Sequence, residues 1–173
     1  MDKAIAESIY VGLGANLAHA KFGPPRDTLQ AALNTLRDRR IIPIRVSPFY
    51  RSAPVPASDQ PWYVNAVAEL RTDLSADALL AELHAVEAEF GRVRAETNAA
   101  RQIDLDLLDY RGKVAPGGPG KATLPHPRLS GRAFVLLPLA DLAPSWRHPL
   151  LELPIRELLE ALPADQTAER LVP

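Results

Sequence analysis

Apolar and polar side chains alternate most sharply in two stretches, Trp62 to Leu70 and Gln102 to Tyr110. In the first, Trp62, Val64, Ala66, Ala68 and Leu70 share one face and Tyr63, Asn65, Val67 and Glu69 the other. In the second, Ile103, Leu105 and Leu107 alternate with Asp104 and Asp106. A period of two is the strand signature, so both are predicted strands. Helical spacing appears twice. Leu29, Ala32, Leu33 and Leu36 form a stripe over Asp27 to Arg39, and Pro24-Pro25 keeps that helix from extending further back. After Ser75, a favourable N-cap, comes a second stripe of Leu79, Leu83, Val86 and Phe90. Leu80, His84 and Glu87 flank that stripe, and Gly91 is placed to end the helix. Ser8 to Leu13 is an apolar run predicted as a buried strand turning sharply at Gly12-Leu13-Gly14, whose glycines serve only a turn or let a flat ligand approach the backbone. Ile41 to Arg51 is a further strand, placed at an edge by Pro43 and Pro48.

The remaining stretches read by composition. Ser52 to Pro61 is a proline-stiffened loop, and Arg111 to Thr123 is a Gly- and Pro-rich loop expected to be mobile. Leu124 to Arg128 is a constrained turn. Arg132 to Leu142 is predicted helical despite Pro138, Leu151 to Leu162 is a last amphipathic helix, and 164–173 is expected as a loosely held tail. The order is β α β β α β, then helices. That predicts an α+β, ferredoxin-like split βαβ arrangement, with a mainly antiparallel sheet, helices packed on it and a helical C-terminal addition. No repeat or linker divides residues 1–173, a length that suits one domain with a real core.

Composition narrows the partners. The net charge of −1 gives no global field toward nucleic acid or membrane. Basic charge is nonetheless concentrated: residues 26–51 hold six arginines against two aspartates, which favours an anionic ligand in the first two-thirds of the chain. There is no cysteine, which excludes thiolate metal sites and fits a cytoplasmic setting. No stretch approaches the roughly 20 apolar residues of a membrane span. The opening IYVGLGANLAHA lacks the basic start and clean apolar core of a signal peptide.

Chemistry gathers around the second alternating strand. Asp104 and Asp106 fall on one face, about 7 Å apart at Cα. Carboxylates that close repel unless a cation sits between them, and oxygen-only ligands with substrate phosphates suit Mg²⁺. Just upstream, Arg92, Arg94 and Arg101 are opposed by Glu96 alone, and arginine forks match phosphate oxygens. The wet face of an ordinary strand looks the same, and short motifs recur by chance. Tyr63 and Asn65 emerge together, offering a stacking face and an amide, or simply a cross-strand polar pair.

Seven landmarks in order resolve these alternatives. They are Val11-Gly12-Leu13-Gly14-Ala15-Asn16; Ser47-Pro48-Phe49-Tyr50-Arg51-Ser52; Asp59-Gln60-Pro61 with Tyr63 and Asn65; Glu87 with Gly91-Arg92-Val93-Arg94; Arg101 with Ile103-Asp104-Leu105-Asp106; Pro125-His126-Pro127-Arg128; and Arg132 with Phe134-Val135-Leu136. Together they resemble the 6-hydroxymethyl-7,8-dihydropterin pyrophosphokinase family of folate biosynthesis, from about Ile9 to Pro149. The resemblance implies transfer of pyrophosphate from ATP to the pterin hydroxymethyl oxygen, releasing AMP. It implies two Mg²⁺ ions on Asp104 and Asp106, and Arg92 and Arg101 as catalytic arginines over the phosphates. ATP contacts are implied for His84, Glu87, Arg92, Arg101, His126 and Arg132. Pterin contacts are implied for Ser52, Val55, Tyr63, Asn65 and Phe134. Partners would be the two small substrates, with no nucleic acid and no membrane, and the working unit a cytoplasmic monomer. One departure stands out: many members carry Arg-Trp-Gly-Pro-Arg before the aspartate strand, where this chain has Thr97-Asn98-Ala99-Ala100-Arg101. The competing classes are a ferredoxin-like nucleotidyl transferase and a non-catalytic nucleotide-binding regulatory domain. The first usually needs a basic template track, and the second leaves the ordered arginines and aspartates unexplained.

Overall fold

A computed structural model describes residues 7–92 and 100–172. Arg94, Glu96 and Thr97-Asn98-Ala99, singled out above, lie outside the described residues. The strands are β1 (Ile9–Ala15), β2 (Ile42–Val46), β3 (Tyr50–Ser52), β4 (Tyr63–Arg71), β5 (Asp104–Tyr110), β6 (Ala115–Gly118), β7 (Lys121–Leu124) and β8 (Ala168–Arg170). The helices are α1 (Pro25–Asp38), α2 (Ala76–Glu89), α3 (Ala133–Leu142) and α4 (Ile155–Glu160).

The main sheet runs β5-β1-β4-β3-β8, with β2 pairing further along β4. Every pairing in it is antiparallel. The fold is therefore mixed α and β around a mainly antiparallel sheet. β1 lies between β4 and β5, so it is buried on both edges as well as both faces. Its alternation splits the interior in two. Ile9, Val11 and Leu13 join Leu29, Leu33 and Leu36 of α1 and Leu79, Leu83 and Val86 of α2 in one cluster. Tyr10, Val67 and Leu108 point the other way, into a cluster with Leu136 and Leu139 of α3, Leu158 of α4 and the buried Trp146.

Helix boundaries follow local chemistry. Pro25 is the first residue of α1, where its missing N–H costs nothing. Ser75 caps α2 by accepting from the Ala78 N–H at 3.2 Å. Gly91 then takes φ +82, as the residue after a helix end often does.

Several expectations are corrected. The Gly12-Leu13-Gly14 stretch is not a turn; both glycines sit inside β1, which continues to Ala15. The strand expected over Ile41 to Arg51 is two, because the chain leaves the ladder around Pro48-Phe49. Strict alternation fails near the end of β5. Tyr10 pairs with Asp109 but Val11 with Leu107, so Leu108 is an extra residue. That bulge lets Leu108 and Asp109 both serve the α3 side, where Asp109 accepts from Trp146 Nε1 at 2.8 Å. The stretch expected as a mobile loop, Arg111 to Thr123, contains most of the β6–β7 hairpin, which buries Ala122 and Leu124. The last helix is six residues, not twelve. The stretch expected as a loose tail carries β8, which pairs with β3.

Candidate functional site

The sheet places three short elements in register at one end of β1. Gly14 stands opposite Asn65 on one side and Asp104 on the other, and Gly12 opposite Val67 and Asp106. The two glycines therefore form a floor without side chains between the Asn65 wall and the aspartate wall. A β-carbon at Gly14 would meet Asn65 Oδ1 at 3.1 Å, so a larger residue there would press on that amide. Above the floor opens a cleft of about 610 Å³.

One wall of the cleft is aromatic and amide. Tyr63 and Asn65 come from β4, Phe134 from the first turn of α3, and Ala53 to Pro56 from the loop after β3. Asn65 is 4 % exposed and donates from Nδ2 to Ser52 Oγ at 2.7 Å. Ser52 thus stands behind Asn65, fixing its amide, while Val55 lines the cleft itself. The Tyr63 hydroxyl donates to Gln60 Oε1 at 3.3 Å, and burial pushes its pKa up.

The opposite wall is ionic. Asp104 accepts from Arg92 Nη1 and from Arg101 Nη1, each at 2.6 Å. Glu87, expected on the flank of α2, is 2 % exposed. It accepts from the Leu105 backbone N–H at 2.8 Å and is ion-paired to Arg92. A buried carboxylate thereby anchors the arginine that reaches Asp104. Asp106 is held less tightly, 3.7 Å from Arg132 Nη1. Loss of water in the cleft, then the neighbouring Asp104 charge, push its pKa up to about 6. His126 Nε2 lies 3.9 Å from Asp106. Burial first, then Arg132 and Arg128, push the imidazole down to about 4, so it is neutral near pH 7 and forms no ion pair there.

A smaller recess of about 340 Å³ adjoins the cleft. It is lined by His84, Glu87 and His126 and shares Arg92 and Asp106 with its neighbour. The predicted site residues therefore fall into two groups meeting at the aspartates. Tyr63, Asn65, Val55 and Phe134 lie on one side, His84, Glu87 and His126 on the other. Arg101 and Arg132 line the main cleft.

Comparison with known proteins decides the family. Residues 10–144 match the model of the 7,8-dihydro-6-hydroxymethylpterin-pyrophosphokinase family. This chain belongs to that family. A Pseudomonas aeruginosa protein named 2-amino-4-hydroxy-6-hydroxymethyldihydropteridine pyrophosphokinase is 44 % identical over 146 residues, covering 83 % of this chain and 85 % of that protein. A Synechocystis sp. protein of the same name is 40 % identical over 151 residues, 87 % of this chain and 73 % of that one. The Pneumocystis carinii folic acid synthesis protein fol1 is 34 % identical over 157 residues, covering 90 % of this chain but 20 % of the longer protein.

The pyrophosphokinase match ends soon after α3, so α4 and β8 lie beyond it. Gln166, in this last stretch, touches the site from behind. Its Oε1 accepts from the Ala133 N–H at 2.8 Å, and its Nε2 donates to the Gly131 carbonyl at 2.7 Å. The amide straddles Arg132. Composition carries no signal for this, because the contact depends on β8 returning to β3. Gln166→Ala is expected to lower stability by about 1 kcal/mol for two partly exposed hydrogen bonds. Urea unfolding of the variant against wild type measures it.

Proposed function

We propose that this chain transfers pyrophosphate from ATP to the hydroxymethyl oxygen of 6-hydroxymethyl-7,8-dihydropterin, giving AMP and the pterin diphosphate, in folate biosynthesis. One observation carries the reading beyond family membership. A flat aromatic–amide wall and an arginine–aspartate wall face each other across a glycine floor in one cleft. A pterin is flat and rich in hydrogen-bonding edges, so Tyr63 and Phe134 suit its faces and Asn65 its edge. The triphosphate then lies toward Arg92, Arg101 and Arg132, with the nucleoside toward His84 and His126.

The donor set fits Mg²⁺. Asp104 and Asp106 offer oxygens only; burial first, and then the neighbouring Asp104 charge, raise the pKa of Asp106, and a cation shared by the pair would offset that repulsion. Among the described residues no three His, Cys, Asp or Glu groups gather as a metal cluster. Mg²⁺ asks for no such cluster when substrate phosphates supply further ligands. Two Mg²⁺ ions on these aspartates would draw in the phosphate oxygens and ease deprotonation of the pterin hydroxyl.

The remaining work is positioning. The pterin oxygen attacks the β-phosphorus, the bond from that phosphorus to the α-bridging oxygen breaks, and AMP leaves. Arg92 and Arg101 exchange Asp104 for phosphate oxygens, where their forks meet the charge of the transferring group. Glu87 keeps Arg92 at the wall during that exchange. Neutral His126 offers a hydrogen bond without adding positive charge.

The reading includes a ferredoxin-like core. α1 links β1 to β2 and α2 links β4 to β5, with β4 and β1 respectively in between, and α3, α4 and β8 form the C-terminal addition. It takes one chain as the working unit and the cytoplasm as its place. No helix among the described residues is long and apolar enough to cross a membrane.

Calorimetric titration tests the proposal. A non-hydrolysable ATP analogue should bind only with Mg²⁺, and the pterin should bind to the same protein. Metal-independent nucleotide binding, or no pterin binding, contradicts the reading. Asn65→Ala should weaken pterin binding by about 10- to 100-fold, since leaving buried partners unpaired costs roughly 1–3 kcal/mol. Analogue affinity should change by less than about threefold, because Asn65 lies across the glycine floor from Asp104. Equal losses for both ligands would remove Asn65 from the pterin wall.

A further inference from the structure

One buried side chain ties together the two loops that flank the cleft. Asn16, just past β1, is 3 % exposed. Its Nδ2 donates to Gln60 Oε1 at 3.1 Å and to the Pro61 carbonyl at 3.0 Å. Its Oδ1 accepts from the Arg101 N–H at 2.8 Å. The Arg101 carbonyl in turn accepts from the Asn16 N–H at 3.0 Å and the Leu17 N–H at 3.1 Å.

The orientation of the amide is forced. A backbone donor stands at one end and a backbone acceptor at the other, so the oxygen must face Arg101 and the nitrogen Pro61. Few side chains of this size serve both: leucine serves neither, and aspartate serves Arg101 but sets a carboxylate against the Pro61 carbonyl. The connections extend on both sides. Gln60 Oε1 also accepts from the Tyr63 hydroxyl, and Arg101 Nη1 reaches Asp104. A continuous line therefore runs from Tyr63 through Gln60, Asn16 and Arg101 to Asp104, from the aromatic wall to the ionic one.

We infer that Asn16 is a positioning residue that couples occupancy of the pterin pocket to the placement of Arg101. The inference rests on the pyrophosphokinase reading above. A ring seated against Tyr63 fixes Gln60 and the loop from residue 53 to 61. Both polar atoms of Asn16 are committed and buried, so the amide cannot follow one loop without loading the other. Arg101 has its N–H and its carbonyl on Asn16, so its backbone moves with that residue. Pterin binding and nucleotide binding then favour each other, and by linkage each strengthens the other by the same factor. The coupling also withholds Arg101 from ATP until the acceptor is present, which protects ATP from hydrolysis.

The test compares wild type with Asn16→Asp, which keeps the acceptor for Arg101 and severs the Gln60–Pro61 side. Calorimetry with Mg²⁺ gives the affinity for the pterin and for α,β-methylene-ATP, each alone and each with the other bound. In wild type the coupling factor is expected between about 5 and 150. In Asn16→Asp each ligand alone should bind within about threefold of wild type, the coupling factor should fall to within about twofold of one, and kcat should fall at least tenfold. In a background of Arg101→Ala, adding Asn16→Asp should cause little further loss in kcat, because the clasp acts through that arginine. Gln60→Ala, at a partly exposed position, guards against an Asn16→Asp variant that does not fold. It should reduce the coupling, whereas Gln60→Glu, which keeps an oxygen for Asn16 and Tyr63, should retain it. A wild-type coupling factor of one, unchanged coupling in Asn16→Asp, or equal coupling in both Gln60 variants overturns the proposal. Wild-type AMP release in parallel separates the two readings. Pterin-dependent release with unaltered coupling in the variants sinks the clasp alone; no pterin-dependent release sinks the pyrophosphokinase reading and the clasp with it.

Discussion

Asp106→Ala removes turnover by at least about a thousandfold while the protein stays folded, as expected for loss of a metal ligand worth several kcal/mol. Asp106 is a cleaner target than Asp104, whose loss would remove the carboxylate that Arg92 and Arg101 share and leave Arg92 on Glu87. The structure adds a second, opposite expectation for stability. Asp106 has its pKa raised from 3.8 to about 6. The folded state then holds a proton that the unfolded state has already released between those values, so stability falls as pH rises through that window. Above about pH 6 the ionised carboxylate opposes folding. In metal-free buffer the variant should therefore match or exceed wild type at pH 8, by on the order of 1 kcal/mol after solvent screening, with a smaller gain at pH 4. Urea unfolding at the two pH values, paired with an activity assay, reads both effects. A variant that is inactive because it is unfolded, or one that keeps wild-type turnover, contradicts the assignment.

Arg101→Ala is expected to lower kcat by about 10²- to 10³-fold and to weaken binding of an ATP analogue by less than about tenfold. The reason lies in the partner exchange. Without ligands the guanidinium is engaged on Asp104 at 2.6 Å, so leaving it for phosphate gains little when the nucleotide binds without the pterin. Its benefit grows once the acceptor is seated and charge builds on the transferring group, and interactions made chiefly in the transition state register in kcat. Lysine should rescue poorly, because a single ammonium cannot replace a planar fork. Stopped-flow measurement of the chemical step separates the two terms. An unchanged step in Arg101→Ala would show that this arginine does not act on the transferring group.

What the sequence made legible was whatever repeats with the period of its element. The alternation of β4 placed Tyr63 and Asn65 on one face, and that of β5 did the same for Asp104 and Asp106. The stripe of α2 identified Leu79, Leu83, Val86 and Phe90, all of them buried. The features that escaped have no period. The bulge at Leu108 is a single extra residue in a pattern that otherwise looks strict, yet it turns Asp109 toward Trp146. β8 holds three residues, Ala168–Arg170, joined through backbone hydrogen bonds, so its side chains need not alternate. In the β6–β7 hairpin, β6 and the turn after it are rich in glycine and proline, which composition assigns to a loop. At the site, Gln60 and Asn16 entered only as landmarks without a role and Gln166 not at all, because their contacts are hydrogen bonds to segments 44, 85 and 33 residues away. Asn16 offered one clue, a polar residue ending an apolar run. Glycines 12 and 14 were read at a turn, whereas both lie inside β1, where they leave a strip of the sheet without side chains.

The most direct measurement is the nucleotide product formed from ATP with and without 6-hydroxymethyl-7,8-dihydropterin, in Mg²⁺ buffer. The account predicts AMP in amounts equal to the pterin diphosphate formed, and essentially none when the pterin is omitted. Product appearing as ADP, AMP released regardless of the pterin, or no turnover at all would contradict it.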